Sequence, residues 1–192
     1  DNPKATCITA GPLYNMEFRY QQHQAMLNAV EKIKAADKAF GETFGRSYGG
    51  VVEAYKCDDA EAILITLGSV AGTTRCVVDE LREQGKKVGL LKIRCMRPFP
   101  SKEVAEIVKN AKFMGVLEKD ISFGFEGVVY TDVCSALKSA AVDVPAANYV
   151  GGLGGRSISK ADIEGIYTEL LNGSAKVGEA NFVNLRRDIC GA

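Results

Sequence analysis

Short apolar runs alternate along the chain with stretches that are apolar only at helical spacing, and this alternation predicts most of its elements. Ala62–Leu67 (AILITL), Val88–Ile93 (VGLLKI) and Phe113–Leu117 (FMGVL) are near-continuous apolar runs, the pattern of parallel strands buried on both faces. Each is followed by a helical pattern: Val70, Val77, Val78 and Leu81 up to Gln84; Val104, Ile107 and Val108; then Val128 to about Ala140. Gly68-Ser69 turns the chain after the first run, and Gly85 is a natural stop for the helix that follows. Ser101 is read as the N-cap of the second helix. Val51–Tyr55 alternates enough for an edge strand, and Asn148–Val150 is a short last strand. Gly151-Gly152-Leu153-Gly154-Gly155 reads as a flexible turn into a final helix, Ile158–Leu171. Regular alternation over 62–171 predicts an α/β fold with a doubly wound, mostly parallel sheet.

A different pattern precedes the sheet. Met16, Tyr20, His23, Leu27, Val30 and Ile33 recur at three- and four-residue steps with no proline between them, which predicts one long helix from Tyr14 to about Phe40. A break is expected near Ala36, and Gly41, Gly45 and Gly49-Gly50 end the region. Asp1–Leu13, polar with Pro3 and Pro12, reads as linker. The chain therefore divides into a linker and long helix (1–50), of a length that usually crosses to another domain or subunit, an α/β domain (51–172), and a polar C-terminal tail (173–192) with one apolar patch, Phe182-Val183.

The sharpest local feature is Arg97-Pro98-Phe99-Pro100 after the second core strand. Two prolines around one aromatic build a rigid extended corner at the strand edge where ligands and partners of open α/β sheets collect. Arg97 there could touch a substrate or cofactor phosphate, but more simply it anchors the corner through carbonyls or pairs with an acid across an interface. Glu118, opening Glu118-Lys119-Asp120, could serve as an acid or base, but a charge run leaving a strand is more simply solvated or salt-bridged. Gly124, Gly127, Gly152 and Gly154 suit tight turns and close chain approach. An anion cradle at these glycines is disfavoured, because the spacing departs from G-x-G-x-x-G, with Ser157 where the third glycine would fall. These nine residues are interface or structural candidates, and none is assigned a catalytic, cofactor-binding or metal-binding role. His23, the lone histidine, is a face residue of the long helix.

Charge and cysteines remove other classes. Lys+Arg and Asp+Glu balance at 24 each in 192 residues, so no net field favours nucleic acid or a membrane surface. No apolar run is long enough to span a bilayer. The six cysteines, at 7, 57, 76, 95, 134 and 190, form no C-x-x-C pair, which argues against a zinc or iron–sulfur site within the chain. Cys76, Cys95 and Cys134 lie in apolar-periodic segments and read as small core residues, consistent with a reducing, cytoplasmic compartment.

Four segments, in order, carry a resemblance over nearly the whole chain: Thr66-Leu67-Gly68-Ser69; Arg97-Pro98-Phe99-Pro100; Glu118-Lys119-Asp120 with Gly124-Phe125; and Tyr149-Val150-Gly151-Gly152-Leu153-Gly154-Gly155-Arg156. Together they resemble the transketolase C-terminal-type domain of thiamine-diphosphate enzymes, and most of all the second domain of pyruvate:ferredoxin oxidoreductases, in the α subunit. Tyr14–Gln22 is similar to the segment joining that subunit's first domain to its second. The resemblance implies a complete enzyme with thiamine diphosphate, Mg2+ and 4Fe-4S clusters, all held outside this chain. It implies as partners the α subunit's N-terminal domain, the β, γ and δ subunits, and ferredoxin. The expected role is structural, at an interface of an enzyme interconverting pyruvate and acetyl-CoA. A free-standing nucleotide-binding α/β module, or the same domain of a 2-oxoglutarate or oxalate enzyme, are the alternatives.

Overall fold

The three apolar runs become the middle of a six-stranded sheet. The structure is a computed structural model that describes residues 11–191. Its strands are β1 (Val52–Tyr55), β2 (Ala62–Leu67), β3 (Val88–Ile93), β4 (Phe113–Glu118), β5 (Ala146–Val150) and β6 (Ala180–Phe182). Its helices are α1 (Asn15–Phe44), α2 (Val70–Glu83), α3 (Ser101–Val108), α4 (Val128–Ser139) and α5 (Lys160–Asn172). The strand order is β1-β3-β2-β4-β5-β6, and only β1 runs antiparallel to its neighbour. The sheet grows from β2 outward to β3, then crosses over β2 to β4 on its other side. The winding direction therefore reverses between β2 and β4.

Side-chain alternation divides the core in two. Ala62 and Leu64 of β2 face one apolar cluster, with α2 and α5 residues such as Val78, Leu81, Ile166 and Leu170. Ile63 and Ile65 face the other, with Val104 and Val108 of α3 and Val133 and Leu137 of α4. Period-2 alternation in a strand buried on both faces produces this three-layer arrangement. The layers are tied together near β3, where Tyr167 of α5, fully buried, donates its hydroxyl to the Gly89 carbonyl at 2.8 Å. Gly89 must be glycine because a Cβ there would lie 2.7 Å from the Lys56 carbonyl oxygen.

The long helix stands apart from these layers: none of its residues is buried. Its C-terminal half is fastened to the body. Lys34 Nζ lies 2.6 Å from the Glu103 carboxylate at the start of α3. Asp37 accepts from the Ser47 hydroxyl at 2.5 Å, from the backbone N–H groups of Tyr48 and Gly49, and from Arg94 at 3.3 Å. The Ser47 hydroxyl, the backbone donors and the Arg94 charge hold the Asp37 carboxyl below its ordinary range.

Several expectations change. The helix does not break near Ala36 but continues to Phe44, where Gly45 in the left-handed region returns its N–H to the Gly41 carbonyl. Ser101 is the first residue of α3 rather than its cap; Pro100 precedes it and its carbonyl accepts from Val104. β5 starts at Ala146, two residues early. The flexible glycine turn is a single 3-10 turn, Leu153–Gly155. Residues 173–192 are not simply a polar tail, since Ala180–Phe182 pairs in parallel with Asn148–Val150 and lengthens the sheet. Cys76 is exposed and Cys95 and Cys134 are half-buried, whereas the buried cysteine is Cys57, donating to the Leu90 carbonyl. Cys7 and most of the expected linker lie outside the described residues.

Tyr167→Phe removes the one hydroxyl joining α5 to β3. We expect a loss of about 1 kcal/mol, read as a lower urea midpoint with an unchanged slope.

Candidate functional site

Winding reversal leaves a crevice between the β2–α2 and β4–α4 connections, because the two chains leave the sheet toward opposite faces. Here it is a cleft of about 420 Å³ walled by Leu67, Val70, Met96, Leu117, Val128 and Ile158, with Ser69, Lys119 and Asp120 at its lip. Met96 arrives from the corner after β3, so all three core strand ends contribute.

Glu118 is the chemical centre of this edge. It ends β4, lies 2% exposed, and reaches the first turn of α4. Its Oε2 accepts from the backbone N–H of Val129 at 2.8 Å, and Oε1 accepts from that of Tyr130 at 3.1 Å and from the Asn148 side-chain amide at 3.0 Å. Asn148, from β5, accepts in turn from the Gly127 N–H at 2.9 Å. A carboxylate delivered from a neighbouring strand thus satisfies the free N–H groups and the positive end of α4, the task a capping side chain normally performs from within the helix. Burial pushes the Glu118 carboxyl above its ordinary value; the Val129, Tyr130 and Asn148 donors oppose this shift, and the Asp120 charge adds to it. Glu118 is therefore neither solvated nor in a salt bridge, and its acceptor positions are occupied by structural donors.

Gly127 is forced by this arrangement: a Cβ there would fall 2.0 Å from Glu118 Oε1. Gly152 is similarly close, with a Cβ 2.9 Å from the Lys119 side chain. Gly124 and Gly154 serve their own turns and approach nothing within 4 Å. Gly124, in the left-handed region, closes the Ser122–Phe125 turn, where the Phe125 N–H donates to the Ser122 carbonyl at 2.8 Å. That turn presents Phe123, 97% exposed. At the start of α4 the anion-cradle reading loses its donors, since Gly127, Val129 and Tyr130 already give their N–H groups to Asn148 and Glu118.

Arg97 bridges from the corner to α4, donating to Asp132 at 2.7 Å and to the Met96 carbonyl at 2.6 Å. Pro98 and Pro100 are buried, and Phe99 packs against the α3–α4 core cluster. The structure thus brings Arg97, Glu118, Gly127 and the proline corner together around α4. Sequence reasoning missed Asn148 and Asp132. The only signal was an amide inside the otherwise apolar strand Ala-Ala-Asn-Tyr-Val.

The described residues do not fit a metal or cluster. Among the described residues no group of three or more His, Cys, Asp or Glu side chains could hold a metal ion. Burial pushes the Cys57 thiol up to about 11 and raises that of Cys134, so both disfavour the thiolate state a cluster requires. Among the described residues, no helix is long and apolar enough to cross a membrane.

Residues 60–163, which contain the cleft and all the structural donors around Glu118, match the family model of pyruvate:ferredoxin oxidoreductase core domain II. The chain belongs to this family. It is 40% identical to pyruvate synthase subunit PorA of Methanosarcina barkeri, over 98% of this chain and 48% of that protein. It is 45% identical to the subunit of the same name from Methanothermobacter thermautotrophicus, over 86% of this chain and 42% of that one. Ketoisovalerate oxidoreductase subunit VorA of Pyrococcus horikoshii is 38% identical over 88% of this chain and 43% of its own length. The chain spans about half the length of the curated relatives it matches.

Two substitutions test the capping network. Gly127→Ala drives a methyl group into the carboxylate, and Glu118→Gln sets an amide N–H against a backbone N–H; each should cost about 1–3 kcal/mol in urea unfolding. The raised pKa also has a pH signature. A carboxyl raised in the folded state contributes stability that is complete below its ordinary pKa of 4.5 and is lost as the pH rises through the folded value. The wild-type chain should lose this stability as the pH rises above about 4.5, and Glu118→Gln should flatten the profile; an unchanged profile would clear Glu118 of the effect.

Proposed function

We propose that this chain is a supporting domain at an interface of a 2-oxoacid:ferredoxin oxidoreductase, and that it performs no chemistry itself. The observation that carries this reading is the state of Glu118. The buried carboxylate at the cleft is committed to structural donors, leaving the cleft without a free buried acid or base. Around it, Phe123, Phe125, Val128 and Leu153 expose apolar surface at the strand ends, as suits a face covered by other parts of a larger assembly.

The complete enzyme, on this reading, converts pyruvate, coenzyme A and oxidised ferredoxin to acetyl-CoA, CO2 and reduced ferredoxin, in a direction the cell sets. Thiamine diphosphate with Mg2+ supplies the carbanion chemistry and 4Fe-4S clusters carry the electrons, all on other domains. Pyruvate is proposed because the relatives at 40% and 45% identity bear the name pyruvate synthase. The partners are the α subunit's remaining domain and the β, γ and δ subunits, in the cytoplasm.

Arg97→Ala should lower recovery of the assembled complex, or its thermal midpoint, before it changes turnover per intact complex. A normally assembled, normally stable variant that no longer decarboxylates pyruvate would sink the supporting role. Calorimetry of the chain with NAD, FAD, ATP and coenzyme A should be silent; micromolar binding of any one would instead favour an independent nucleotide-binding module.

A further inference from the structure

The first half of α1 is built differently from the second. From Tyr20 to Val30 the sequence YQQHQAMLNAV contains no Asp, Glu, Lys or Arg, over about three turns of helix. The next stretch, to Phe44, carries Glu31, Lys32, Lys34, Asp37, Lys38 and Glu42. The charged half is the half fastened to the body through Lys34 and Asp37. The charge-free stretch, preceded in the helix by Glu17 and Arg19, is left uncovered: Tyr20 is 63% exposed and Leu27 50%.

This is the reverse of what a solvated helix requires. A helix standing in water keeps charged residues on its open faces, and one that buries no apolar stripe has little to hold it. Loss of charge around the whole circumference is the composition of an interface centre, where stranded charges are costly and uncharged groups are retained. The side chains of Gln21, Gln24 and Asn28 make no hydrogen bond among the described residues, so they remain available to a partner. Meanwhile Met16, Tyr20, His23, Leu27 and Val30 fall at alternating four- and three-residue steps, the spacing by which one helix packs along another.

We propose that Tyr20–Val30 is an inserted arm, enclosed by helices of the part of the oxidoreductase that makes up the other half of its relatives' length. The occupant is chosen on size and charge. The relatives are about twice as long as the stretch this chain matches, which provides a domain-sized body to surround the arm. A charge-free arm selects a groove lined by apolar and amide groups rather than a charged surface. The arm is rigid because Asp37 and Lys34 clamp the following turns, so little conformational entropy is lost on insertion. This inference rests on the supporting-domain reading above and assigns it a second contact, separate from the strand-end cleft.

Hydrogen–deuterium exchange tests it on the native oxidoreductase, purified anaerobically through this chain and compared with the chain alone. We expect the amides of 20–30 to exchange at least tenfold more slowly in the complex. We also expect Leu27→Lys to reduce recovery of the mass-identified oxidoreductase subunits at least tenfold, with Lys38→Glu as a neutral control. If the complex assembles but 20–30 exchanges as fast as in the free chain, the arm is wrong and the supporting role stands. If no oxidoreductase subunit accompanies the chain, both readings fall. If the chain alone sediments as a dimer that Leu27→Lys dissociates, a second copy covers the helix and the proposal is overturned.

Discussion

A buried carboxylate at the end of β4 sets the geometry of the whole strand-end edge. Glu118 cannot be left bare at 2% exposure, because an unpaired charge there would cost far more than the domain's stability can absorb. Two backbone N–H groups of α4 and the Asn148 amide supply what water would otherwise give. In return the helix is fixed in position and direction against β4 and β5. Gly127 has to be bare for the carboxylate to fit, and the position of α4 brings Asp132 within reach of Arg97. The cleft and the aromatic turn are consequences of where α4 starts.

Fixing α4 in this way has a chemical cost and a mechanical benefit. A carboxylate consumed by structural donors is unavailable as a general acid or base, and a helix N-terminus already filled by a carboxylate does not take a phosphate. What the network provides is rigidity. Phe123 sits on a turn closed by backbone hydrogen bonds between that capped helix and β4, so the main chain that carries its exposed ring is held in place. The long helix follows the same logic at the other end of the sequence, with its C-terminal half clamped by Asp37 and Lys34 and the charge-free stretch Tyr20–Val30 standing clear of the body. Residues 60–163, the stretch that matches pyruvate:ferredoxin oxidoreductase core domain II, contain this whole capping network.

The two boundaries of the core that were easiest to misplace have clear physical causes. β6 escaped notice because Ala180–Phe182 is three residues long and half-buried at a sheet edge, too short for any periodicity to register. The last turn of α1 was cut short because Gly41 looked like a stop, whereas the left-handed cap falls at Gly45. A glycine ends a helix only where the backbone turns left-handed, and the sequence does not mark which of several glycines does so.

The amino-acid sequence by itself determined the α/β architecture. Ala62–Leu67 and Val88–Ile93 are apolar at every step or nearly so, which only a doubly covered parallel strand tolerates, and amphipathic stretches between them leave helices as the covers. It also marked the turn at Arg97–Pro100, since two prolines locally exclude a continued strand, but it did not fix the cis Arg97–Pro98 bond. Only the tertiary structure decided the role of Glu118. Whether a carboxylate after a strand meets water or a helix terminus depends on the crossing of β4's chain to α4 and on β5 placing Asn148 alongside. Those contacts span separations of eleven to thirty residues, and no spacing rule within one element encodes them.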